Sequence, residues 1–158
     1  MSSELGLNTA QTVLSDIIRL MGITAEIDGY IDDEGQIMLD ITSEQDLAIV
    51  IGRNGNTLNA IEYVVNTIVR NKLEDFVRVV VDTCGYRERQ QAIIVGKAKK
   101  IAEMVRASGE NIEMEPMNSR DRRIVHMALA EEEDLVTVSM GTDPNRRIII
   151  CLKENEII

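Results

Sequence analysis

Apolar residues three and four apart at Val13, Leu14, Ile17, Ile18 and Met21 predict a one-sided helix over 7–21, which Gly22 stops. Apolar and polar positions then alternate over 24–31 and 36–41, the period of two strands. Asp32, Asp33, Glu34 and Gly35 between them make a hairpin turn. A short apolar turn of helix over 46–51 precedes a longer helix over 56–72, where Leu58, Ile61, Val64, Val65, Ile68 and Val69 keep helical spacing. The valine-rich stretch 76–82 reads as a third strand. The first half is therefore helix, strand, strand, helix, helix, strand.

Beyond Cys84 and Gly85 the pattern starts again. A charged helix spans 86–107, closed by Ser108 and Gly109, and a short strand covers 112–114 before Pro116 breaks the chain. Asn118 or Ser119 caps a helix through Ala130, with Ile124, Met127 and Ala128 as its inner face and Val125 and Leu129 as further candidates. Strands over 135–140 and 147–152 enclose a turn from Gly141 to Asn145. The fold class is α+β in two units, 1–83 and 84–158, joined by a few residues.

Composition narrows the chemistry. The 158 residues carry a net charge of −10, which argues against a general polyanion binder, since counterion release needs a basic surface. The charge is uneven: residues 1–82 hold 5 Lys and Arg against 14 Asp and Glu, and residues 83–158 hold 12 against 13. No apolar stretch approaches the roughly 20 residues of a membrane span, and the N-terminal residues lack the layout of a signal peptide. The expectation is a soluble cytoplasmic protein without membrane insertion. Cys84 and Cys151 stand apart, with no spacing for a disulfide framework or zinc, and read as reduced residues in or near strands.

Between the two predicted helices lies Ile51-Gly52-Arg53-Asn54-Gly55. Glycine at both ends permits a turn too tight for a Cβ, Arg53 adds positive charge, and the next helix presents its N-terminal donors. Such a G-x-x-G loop can clamp a nucleic-acid backbone; a plain helix-to-helix turn is the alternative. Arg122 and His126 are four apart on a predicted helix, so both occupy one face and could grip one phosphate or sugar, or the histidine could be structural. Arg120 and Arg123 flank them. Arg146 and Arg147 could add a second phosphate contact, or could guard an edge strand. Lys97, Lys99 and Lys100 read as a solvated helix face.

Enzyme readings find little support. Gly96-Lys97 fails as a nucleotide loop, because Gln91 and Ala98 occupy the places of a glycine and a hydroxyl residue. The run Glu131 to Asp134 beside His126 could hold a cation in principle, but successive side chains point in different directions and fit a solvated turn better. There is no second histidine and no nucleophile motif, so neither a catalytic residue, a metal site nor a cofactor is assigned. With only Tyr30, Tyr63, Phe76 and Tyr86 aromatic, base contact would fall to aliphatic residues such as Ile49, Ile51 and Leu58, for which core packing is an equal account.

The element order with I-G-R-N-G in place resembles the prokaryotic (type II) KH domain, α-β-β-α-α-β, over about residues 1–82. Residues 115–126, followed by Asp143-Pro144-Asn145-Arg146-Arg147, resemble the small α+β R-x-x-x-H (R-three-H) domain of single-stranded nucleic-acid-binding proteins. The tandem is similar to the bacterial Jag family, also called SpoIIIJ-associated protein, KhpB or EloR. The resemblance implies RNA binding through Gly52, Arg53, Asn54, Gly55 and the Arg122–His126 helix. Single-stranded DNA is a second substrate, a small KH-domain protein is the expected partner, self-association is a further one, and the role is tied to cell elongation or division. Family members usually carry an additional N-terminal Jag-N domain and linker, and this sequence starts at the KH domain, which leaves open any function that needs that region. The reading from a different class is a protein-interaction module that uses the KH scaffold to dimerise or to dock on a small KH partner; the acidic first half favours it.

Overall fold

The computed structural model describes residues 2–45, 47–73 and 77–155. They form two compact units, one up to Arg87 and one from Glu88.

In the first unit the order is α1 (Ser2–Leu20), β1 (Glu26–Ile31), β2 (Ile37–Thr42), α2 (Ala48–Ile51), α3 (Asn56–Lys72) and β3 (Val79–Asp82). The expected strand start at Phe76 and helix start at Asp46 lie outside the described residues. The sheet order is β1-β2-β3, with β1 antiparallel and β3 parallel to the central β2. The hairpin turn is built by Asp32, whose Oδ1 accepts from the amides of Glu34 and Gln36 at 3.0 and 2.8 Å, so a side chain substitutes for the missing backbone partner. Ile37, Leu39 and Ile41 face the helices and are buried with Leu14, Ile18, Leu58, Val65 and Val69. Gly29 sits where α1 presses on the sheet: a Cβ there would stand 2.7 Å from Leu39 and 2.9 Å from Leu7.

The second unit contains most of α4 (Tyr86–Ser108), then β4 (Ile112–Glu113), α5 (Ser119–Ala128), β5 (Leu135–Met140) and β6 (Arg147–Leu152). The antiparallel sheet runs β4-β6-β5. Ile94, Ala98 and Val105 of α4 pack with Val125, Leu129, Leu135, Ile148 and Ile150. The inner face of α5 is rotated from the expected one. Val125 and Leu129 are buried while Met127 is 63 % exposed, because Asp121 and Arg122 occupy the inward position one turn earlier. A polar pair held inward by hydrogen bonds misleads a periodicity built on apolar residues alone.

Candidate nucleic-acid interface

The glycine loop closes α2 and opens α3. Gly52 has φ 68° and donates its N–H to Ala48 at 2.8 Å, Asn54 has φ 52°, and Gly55 has φ 74°. Three of the four loop residues thus occupy the left-handed region, where a Cβ is disfavoured. Space forbids side chains as well. A Cβ on Gly52 would overlap Thr57, and one on Gly55 would lie 2.9 Å from the Tyr86 ring. Both glycines are therefore required by the fold of the loop itself. Arg53 and Asn54 project into solvent, and Gly55 gives α3 no side-chain cap, so the positive end of the helix dipole lies behind an exposed basic residue. Beside the loop, Ile49 is exposed, Ile51 is half-buried, and Leu58 is wholly core.

Behind the loop a second set of side chains fixes the unit. Arg87 donates to Val81 O at 2.7 Å, Asn59 Oδ1 at 2.8 Å and Glu62 Oε2 at 2.6 Å. Glu62 also accepts from Val81 N at 3.0 Å. This nearly buried ion pair ties α3 to β3 and to the start of α4.

In the second unit, α5 starts at the Asn118 cap, whose Oδ1 accepts from Asp121 N at 2.9 Å. Arg122 is only 8 % exposed; it donates to Met117 O at 2.8 Å and pairs with Asp143 at 3.6 Å. One turn on, His126 Nδ1 shares a 2.6 Å hydrogen bond with Thr137 Oγ1 of β5. Burial, and then the charge of Arg122, lower the histidine pKa below its ordinary 6.5. The imidazole is therefore neutral at neutral pH and fixed by its strand partner. Arg146 donates from Nε to Ser139 at 3.1 Å. Thr137 and Ser139 are two apart on β5 and so share a face, which places Arg146 and His126 along one side of that strand. Arg147 instead lies with Nε 2.6 Å from Glu113, an ion contact without the alignment of a hydrogen bond, and donates to Asn145 O at 3.3 Å. Arg120 and Arg123 are exposed on α5.

The structure thus gathers Arg122, His126 and Arg146 along α5 and β5 and sets Arg147 against Glu113. Thr137 and Ser139, which hold two of these groups, escaped the sequence reading; their signal is a pair of hydroxyls at strand spacing beside a predicted Arg/His helix. The acidic run has an explanation of its own. Arg106 of α4 grips Asp134 at 2.6 and 2.7 Å and Glu132 at 2.6 Å, and that hydrogen bonding holds the Asp134 carboxyl below its usual range. No group of three His, Cys, Asp or Glu among the described residues is placed to hold a metal ion, and no helix among them is long and apolar enough to cross a membrane.

Comparison with known proteins places these units. The family model for the KhpA/KhpB KH domain matches residues 8–82, and that for the R-three-H domain matches residues 97–152. The chain is a KH domain followed by an R-three-H domain, and neither is an enzymatic family. The chain is 35 % identical over 141 residues to the RNA-binding protein KhpB of Clostridium symbiosum, covering 89 % of this chain and 63 % of that protein. It is 29 % identical to the proteins of the same name from Lactiplantibacillus plantarum, over 87 % of this chain and 42 % of that one, and Bacillus subtilis, over 90 % and 67 %. The two domains in this order and these relatives make the chain similar to the Jag (KhpB) family, and it spans less than two thirds of the length of the first two relatives.

Proposed function

We propose that the chain binds single-stranded RNA at two places, the loop Gly52–Gly55 and the Arg122–His126 face of α5, and performs no chemistry on it. The observation that carries this reading is the loop. Three left-handed residues and two glycines where a Cβ would clash hold Arg53 and Asn54 exposed at the N-terminus of α3, which has no side-chain cap, where main chain and cation can meet a phosphate together. In the second unit Arg123 and Arg146 offer exposed cations, while Arg122 and His126 order the surface between them. Two weak sites on one chain raise affinity through effective concentration wherever one strand reaches both. The names of the relatives support RNA as the ligand, and single-stranded DNA is the control. The acidic composition keeps the affinity local and salt-sensitive, with a slope of log K against log salt of about −3 for about four phosphates.

The test is fluorescence anisotropy of labelled single-stranded RNA and DNA on the full chain, with Arg53→Asp/Asn54→Asp and Arg123→Ala/Arg146→Ala as the variants. Both pairs are exposed, so both variants should keep the fold. Loss of affinity in each supports a bipartite site. Unchanged affinity in the first removes the loop from the account.

A second reading, docking on a small KH-domain protein, is favoured by Tyr63 and Val64 of α3, which lie outward at 74 % and 43 % exposure, by the exposed Ile49 of α2, and by a family model shared between KhpA and KhpB. Native mass with and without such a partner tests it. The proposal that the protein bears on cell elongation or division rests on the family resemblance alone.

A further inference from the structure

The two edges of the KH sheet are treated in opposite ways. Ile37 N donates to Arg78 O at 2.8 Å, so β2 turns the main chain of Ile37, Leu39 and Ile41 toward β3 and that of Met38, Asp40 and Thr42 toward β1. The outward groups of β3 then belong to Val79 and Val81, and all four are occupied. Asn66 accepts from Val79 N at 2.9 Å and donates to Val79 O at 2.7 Å; Glu62 accepts from Val81 N, and Arg87 donates to Val81 O. Side chains seal this edge completely.

On β1 the register pairs Glu26, Asp28 and Tyr30 with Thr42, Asp40 and Met38, which leaves the main chain of Ile27, Gly29 and Ile31 pointing outward. Among the described residues one hydrogen bond reaches this edge, Gln11 Nε2 to Ile27 O at 3.3 Å. A shallow cleft of about 350 Å³ runs beside it, lined by Gln11, Thr12, Ser15, Asp16 and Ile27. The face away from the helices is acidic in register. Asp28, Asp40 and Asp82 form one row across the three strands, with Glu26 and the 62 % exposed Tyr30 on either side of Asp28.

We propose that the free edge of β1 docks an extended basic protein segment, which adds antiparallel to β1 as a fourth strand. Residues directly opposite each other share a face, so the segment would set Lys or Arg against Glu26, Asp28 and Tyr30, the last against the aromatic ring, at every second position. A cation opposite Asp28 continues the row and relieves its repulsion; burial, with Asp82 and Asp28 nearby, already pushes the Asp40 carboxyl up against the hydrogen bond from Cys84 N. Main-chain pairing supplies affinity and the alternating side chains supply selectivity, as in strand addition generally. RNA is repelled by this face, and a second copy brings no cation, since β1 carries none. Carboxylates alone would serve to keep an edge solvated. They do not explain why the exposed Tyr30 stands among them, or why, among the described residues of this sheet, side chains cap the β3 edge and leave the β1 edge open.

The probe is a fluorescein-labelled octapeptide of alternating Val and Lys, with a block peptide of the same composition as control, titrated into the full chain at low salt. The alternating peptide should bind at least tenfold tighter than the block peptide and lose at least tenfold on the Glu26→Lys/Asp28→Lys variant, which should bind single-stranded RNA no worse than the parent. Amide hydrogen exchange should slow at Gly29 and Ile31 when the alternating peptide is present. Equal binding of the two peptides, absence of binding, unchanged exchange at Gly29 and Ile31, competition by RNA, or dimerisation of the free chain through this edge would each overturn the proposal.

Discussion

Replacing Gly55 by Ala separates the two reasons for a glycine at the end of the loop. The residue sits at φ 74°, ψ 12°, and an L-side chain in that region costs about 1 kcal/mol or somewhat more. The new Cβ also meets Tyr86 Cε1 at 2.9 Å and the hydroxyl at 3.1 Å, so the half-buried ring must shift, an overpacking cost of about 1–2 kcal/mol. The sum is about 2–3 kcal/mol. Removing the ring with Tyr86→Ala leaves only the backbone strain, so the double-mutant cycle should show a coupling of about 1–2 kcal/mol in the relieving direction. Urea denaturation followed by tyrosine fluorescence suits the measurement, because all three tyrosines, at 30, 63 and 86, lie in the first unit and the chain has no tryptophan. A loss below about 0.5 kcal/mol for Gly55→Ala, or no coupling to Tyr86, would refute the packing argument. The result also bears on function: lost RNA binding in a Gly55 variant reports a damaged loop, whereas Arg53 and Asn54 test contact.

Gly96 lies exposed within α4 with nothing within 4 Å of where a Cβ would stand, so Gly96→Ala should stabilise the chain by about 0.5–1 kcal/mol, read as a higher urea midpoint by far-UV circular dichroism. His126 is held neutral in the fold by burial and by Arg122. Below its unfolded pKa of 6.5 the unfolded chain takes a proton that the folded one resists, so stability present above that pH should fall as pH drops through the lower folded value. The second unit's amide signals should report this fall, and His126→Gln should flatten it. Arg122→Ala should destabilise that unit as well as weaken binding, since it leaves Met117 O without its donor and Asp143 without its cation; Arg123→Ala should weaken binding without moving the unfolding midpoint.

Much of this molecule was legible in the residues because its signals are local. The hairpin at Asp32–Gly35, the helix over 56–72 and the glycine loop each follow from spacing and from residues that tolerate a tight turn. What escaped depends on distance in the chain. Tyr86 against Gly55 and Arg87 against Glu62 bring together residues 25 or more apart in sequence. Asn66 and Glu62, polar positions on an otherwise ordinary helix, close a strand edge that no periodicity marks. Met127 looked like an inner residue and is exposed because Asp121 and Arg122 are satisfied inside. The acidic run 131–134 fits a solvated turn by itself; only the fold brings Arg106 to Glu132 and Asp134.

The most direct test of the central claim is an amide NMR titration of the full chain with a short single-stranded RNA, read residue by residue. The account predicts that the largest shifts fall on Arg53 to Leu58 and on α5 with the Ser139–Arg147 end of its strand pair, and that Arg53→Asp/Asn54→Asp abolishes the first set. Shifts confined to other surfaces, or an unchanged first set in that variant, would contradict it.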